Sequence, residues 1–121
     1  MLRRLLYITL PLLIIVPVAA CEDTRPQARR ATEWFAPVGQ LRAAECIAYA
    51  ESGNNPNVTG GAGERGIFQI HPVHRRDFER YTGQPWSSAY DANWNGYYAV
   101  HLWRSSGRSW RPWSTHRVCH V

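Results

Sequence analysis

The stretch Leu41-Arg42-Ala43-Ala44-Glu45-Cys46-Ile47-Ala48-Tyr49-Ala50-Glu51-Ser52-Gly53-Asn54-Asn55-Pro56-Asn57 decides the reading of this 121-residue chain. Leu41, Ala44, Ile47, Ala48 and Glu51 fall on or near one face at helical spacing. Gly53 is a natural stop, and Asn54-Asn55-Pro56-Asn57 cannot continue a helix. The spacing therefore predicts a helix over 41–51 that ends in a carboxyl group. At that end the helix macrodipole places partial negative charge, and the flanking face is apolar. Both effects disfavour the ionised form of Glu51 and raise its pKa. A carboxyl that keeps its proton near neutral pH can act as a general acid. A solvated glutamate at a helix end is the commoner case, so position alone leaves both readings open.

Downstream, Thr59-Gly60-Gly61-Ala62-Gly63 reads as a tight turn, and Ile67-Phe68-Gln69-Ile70 as a short buried stretch ended by His71-Pro72. Together they predict a small β-hairpin beside the first helix. Val73 to Thr82 reads as helix with Gly83 as its terminator. Asp91 to Ser105 is a second strong helix, with Trp94, Tyr98 and Leu102 on one stripe and Gly107 after it. Ser109 to Val121 is an irregular tail rich in tryptophan. The two strong helices dominate, so the expected class is α+β, mainly α, for a domain over 41–121. Glu22 to Gln40 is polar and Arg-rich, with Pro26 and Pro37, and reads as a flexible tether over 21–40. Trp34-Phe35 is the exception there, expected to pack on the domain or at a membrane interface.

Hydrophobic residues make up 45% of the chain and charged residues 19%, which excludes wholesale disorder. All 14 basic residues are arginine, against 9 acids. The start of the chain explains part of that excess. Arg3 and Arg4 precede an apolar run, Leu5 to Val18, which has the layout of a signal peptide over 1–20 and is short for a membrane span. Its removal leaves 12 arginines against 9 acids, a mild positive balance that suits an anionic polymer without selecting one. Val18-Ala19-Ala20-Cys21 resembles the bacterial lipobox. The resemblance implies that Cys21 receives a diacylglycerol and becomes the new N-terminus, which anchors the protein to a membrane.

Removing Cys21 from the count leaves one pair, Cys46 and Cys119. In an exported protein such a pair reads as a disulfide, here across 73 positions. The alternative is a metal site around His116, Cys119 and His120. No CxxC or HExxH spacing supports it, so no metal and no cofactor are expected.

Four blocks carry a further resemblance. The first is Glu51-Ser52-Gly53-Asn54-Asn55-Pro56-Asn57. The second is Gly61-Ala62-Gly63-Glu64-Arg65-Gly66-Ile67-Phe68-Gln69-Ile70, followed by Pro72. The third is Tyr90-Asp91-Ala92-Asn93, with Tyr98 beyond it, and the fourth is Trp110-Arg111-Pro112-Trp113-Ser114-Thr115. In this order, over about residues 41–117, they resemble the soluble lytic transglycosylase (SLT) domain of the lysozyme-like superfamily. The compact size and the cysteine before the glutamate also resemble the small resuscitation-promoting-factor members. The resemblance implies a lysozyme-like fold with the hairpin next to the catalytic helix, and peptidoglycan as the substrate. It implies that Glu51 protonates the glycosidic oxygen between N-acetylmuramic acid and N-acetylglucosamine and then acts as base, giving 1,6-anhydro ends. It implies that Ser52 orients the acid or a nearby group, that Gln69 touches the sugar, and that Tyr98 lies near Glu51 across the cleft. Trp110 and Trp113 would stack on sugar rings, with core packing the stronger expectation for Trp113.

One departure bears on the reaction. Glu64-Arg65 stands where the family has small or apolar residues. Glu64, 13 positions after Glu51, is a candidate second carboxylate that would favour hydrolysis. A surface turn is the plainer role for it. The expected location is the cell envelope, as a monomeric, membrane-anchored lipoprotein without nucleic-acid partners. The rival readings are a muramidase on the same fold, a non-catalytic wall-binding lipoprotein and, against the export signals, an Arg- and Trp-rich nucleic-acid binder.

Overall fold

The computed structural model describes residues 23–121. The signal peptide over 1–20 and the lipidation site Cys21 lie outside the described residues. Four α-helices make up the frame: α1 Arg25–Thr32, α2 Leu41–Ser52, α3 Arg75–Thr82 and α4 Ala92–Ser105. Short 3-10 turns cover Glu33–Val38, Pro72–His74, Trp86–Tyr90 and Ser114–Arg117. No helix among the described residues is long and apolar enough to cross a membrane.

α2 forms as its sequence dictates. Ala44, Ile47 and Ala48 turn inward, and Gly53 closes the helix in the left-handed region with its N–H on the Tyr49 carbonyl at 2.8 Å. α4 starts where Asp91 caps it, its side chain accepting from the Trp94 N–H at 3.0 Å. Gly96 sits where α4 crosses α1. A Cβ there would come within 2.1 Å of the Ala31 carbonyl oxygen, so only glycine allows this approach.

The expected flexible tether over 21–40 is not what the described residues adopt. Pro26 stands in the first turn of α1, where its missing N–H costs nothing, and Ala28 and Ala31 pack inward. Phe35 in the following turn is fully buried and stacks on Trp110 with centroids 4.7 Å apart. Three apolar side chains at helical spacing, scattered through a polar stretch, suffice to dock it on the core. Trp34 stays at the surface, its indole N–H on Asn93 at 3.0 Å.

The expected β-hairpin is also not drawn as strands among the described residues. Residues 58–70 form a folded loop with two isolated antiparallel bridges, Thr59 with Arg65 and Arg65 with Ile70. Arg65 and Ile70 exchange both backbone hydrogen bonds at 3.0 Å across a tight turn. Frequent glycines and the left-handed backbone of Gln69 (φ 47°) leave too few consecutive extended residues for a ladder.

The core is aromatic. Phe35, Phe68, Phe78, Tyr98, Trp103, Trp110 and Trp113 are buried together with Ile47, Ile67 and Ile70. In a domain this small, such wide rings provide much of the apolar area that stabilises the fold. The Cys46–Cys119 disulfide is formed, with Cα atoms 5.9 Å apart, and ties α2 to the C-terminal tail.

Candidate active site

Glu51 occupies the last turn of α2. Its half-buried carboxyl meets the tail, where the Thr115 hydroxyl donates to Oε1 at 2.7 Å. Burial pushes the Glu51 pKa up. The Thr115 hydrogen bonds oppose that rise, and the negative charge of Glu64 adds to it. The outcome agrees in direction with the sequence expectation, and the third contribution, from Glu64, is one that the helix end alone could not supply. The cavity of about 470 Å3 between α1 and α2, lined by Arg25, Arg29, Glu33, Leu41, Glu45 and Asn54, does not include Glu51. Glu51 and this hollow are therefore at different places.

Glu64 lies on the 58–70 loop and curls inward. Its Oε2 accepts from the Ala62 N–H at 3.1 Å and closes the space over Gly60. Ser52, next to the acid, points away from it in function. Its hydroxyl lies 3.0 Å from the Ala48 carbonyl and 2.8 Å from the Ile67 carbonyl, and so fastens the end of α2 to the loop. Gln69 likewise spends its amide inside the loop, donating to the carbonyls of Val58 at 3.0 Å and Gly66 at 2.9 Å.

The three aromatic candidates are all buried. Tyr98 is fully buried and donates to Asp77 on α3 at 2.8 Å. It belongs to the α3–α4 contact, and its hydroxyl is committed there. Trp110 is a core residue, 5% exposed, packed on Phe35 and Trp113, with its indole N–H on Gln40 at 2.9 Å. It offers no open face for sugar stacking. Trp113 is buried as well and donates to the Phe68 carbonyl at 2.8 Å.

Four residues matter to the site and were given no role from the sequence. Asn95 is fully buried at the centre of the loop attachment. It accepts from the Phe68 N–H at 2.8 Å and donates to the carbonyls of Arg65 at 2.9 Å and Ala89 at 2.8 Å. A polar residue on the inward stripe of α4 was the available signal. Arg65 lies between the rings of Trp86 and Tyr90, about 5 Å from each, and donates to the Trp86 carbonyl. Gly66 passes so close to Ala89 that a Cβ would sit 2.3 Å from its carbonyl oxygen. Thr115 stood at the end of a motif block without an assigned partner.

The loop is thus pinned to α2, α4 and the tail at once, and Glu51, at the end of α2, meets the tail at Thr115. This arrangement, a compact mainly helical domain with an acid at a helix end under a pinned loop, defines a lysozyme-like domain. The family model of the lysozyme-like domain matches residues 29–115, and the chain belongs to that family. The family lies in the superfamily of peptidoglycan-acting glycosidases and transglycosylases. No curated protein and no solved structure matches the chain. The match begins inside α1, which agrees with the helix, and not a tether, leading into the domain.

Proposed function

We propose that this protein cleaves peptidoglycan as a lytic transglycosylase with Glu51 as its single acid and base. The observation that carries the reading is the Glu51 carboxyl: half-buried, hydrogen-bonded only by the neutral Thr115, repelled by the charge of Glu64, and so raised in pKa. In this reading the Glu51 proton passes to the glycosidic oxygen as the bond to C1 of N-acetylmuramic acid breaks. The muramyl C6 hydroxyl then adds to C1, and its proton returns to the Glu51 carboxylate. The product carries a 1,6-anhydro ring, and no water is consumed. The lipobox supports a lipid anchor at Cys21 that would hold the protein at the cell envelope, near the wall.

Hydrolysis is the second reading, favoured by Glu64 alone. A carboxylate close enough to raise the Glu51 pKa could also activate a water. Mass spectrometry of muropeptides after digestion separates the two. Anhydro ends are expected; reducing ends would establish the hydrolase; intact sacculi would leave a wall-binding protein.

A further inference from the structure

The C-terminal tail reaches Glu51 through one residue, Thr115, and that residue is held from both directions. On one side Trp113 is locked to the Phe68 carbonyl. On the other, Cys119 is bonded to Cys46 of α2. Between them the Thr115 carbonyl accepts from the N–H groups of Val118 at 3.0 Å and Cys119 at 3.1 Å, which fixes the turn.

We propose that Thr115 is a positioning residue for Glu51: its hydroxyl, presented by the clamped tail, holds Oε1 so that the transferable proton rides on Oε2. The inference rests on the reading of Glu51 as the acid. A protonated carboxyl has one carbonyl-like oxygen and one O–H. A donor aimed at Oε1 selects the form in which Oε1 accepts and Oε2 carries the proton. The donor is also neutral. An arginine or lysine at the same place would stabilise the carboxylate far more strongly and depress the pKa. The charged group facing Glu51 is Glu64, from the loop. On the tail, His116 engages the Val121 carbonyl at 2.9 Å. A hydroxyl thus fixes the carboxyl's orientation without taking its proton away.

The test uses the purified protein with carbon-13-labelled glutamate carboxyls, the Glu51 signal being assigned by its loss in Glu51→Gln. Thr115→Val removes the hydroxyl at nearly constant volume. The Glu51 titration should move to higher pH, because a bond that favours the charged form is gone. The alkaline limb of activity should move with it, kcat should fall about tenfold, the scale of one lost hydrogen bond, and KM should hold. Thr115→Ser should restore both. If valine disturbs the tail, Thr115→Ala removes the same hydroxyl in less space and should give the same shift. A Glu51 titration unmoved in the valine and alanine variants overturns the proposal. Absence of any muropeptide release by the wild type would instead refute the catalytic reading, while the titration would still decide whether Thr115 governs Glu51.

Discussion

Glu51 and Asp77 are both partly buried carboxyls on helices, and their surroundings push them in opposite directions. At Asp77 on α3, Arg80 donates at 2.6 Å, Tyr98 at 2.8 Å, and His101 lies at 3.0 Å. These partners, Arg80 foremost, hold its pKa below the usual carboxylate value. At Glu51 burial dominates, the neutral hydrogen bonds of Thr115 oppose it, and Glu64 adds repulsion, so the pKa rises. A carboxyl supplied with donors and a cation becomes a clamp, here between α3 and α4. A carboxyl short of donors holds its proton more tightly than a free one. The same functional group is a structural clamp at Asp77 and the proposed acid at Glu51, and the neighbours set the difference.

The largest test removes the bridge that serves only one of the two regions. Replacing Cys46 and Cys119 together by alanine should lower stability by up to about 4 kcal/mol in the chain-entropy picture. Hydrogen exchange should quicken at the tail and the end of α2 before the α3–α4 contact. Uniform loosening would show that the two regions are one cooperative unit. Next, Glu51→Gln should cut muropeptide release by about a hundredfold or more, the scale of lost acid–base catalysis. Its folded-state pKa is raised, so the folded chain binds that proton more tightly. Wild-type stability therefore falls as pH rises through the unfolded and then the folded pKa. The glutamine variant escapes that fall, and its melting temperature at neutral pH should equal or exceed that of the wild type.

Asp77→Asn should do the reverse: keep activity and lose about 1 kcal/mol, a modest figure because the carboxyl is partly solvated. Its pKa is depressed in the folded state. The stabilisation is therefore present above the unfolded pKa and lost as pH falls through the folded one, below about pH 4. Acid melts of the two proteins should converge there; a constant gap would assign the effect to packing. The smallest expected change is at Glu64. Glu64→Gln removes a repulsion, so the alkaline limb of activity should move to lower pH with the rate within a few-fold. A loss of about a hundredfold would make Glu64 a second catalytic carboxylate.

What the sequence determined by itself was local or countable. The period of Leu41–Glu51 with Gly53 behind it placed the acid at a helix end, because helix stops are encoded within a few residues. The motif order gave the family, and the cysteine count gave the Cys46–Cys119 pair. Phe35 was legible as a packing residue from its type, whereas the helix over 25–32 escaped because composition averages over Ala28 and Ala31, which carry it inward. Only the tertiary structure decided which polar and aromatic groups remain free. Trp110 looked available for sugar until Gln40, 70 positions away, took its N–H and Phe35 its face. Tyr98 turned to Asp77, Gln69 into its own loop, and Thr115 to Glu51. A side chain's residue type sets what it can bond to. Which partner it meets depends on where distant segments pack, and that is a property of the folded chain as a whole.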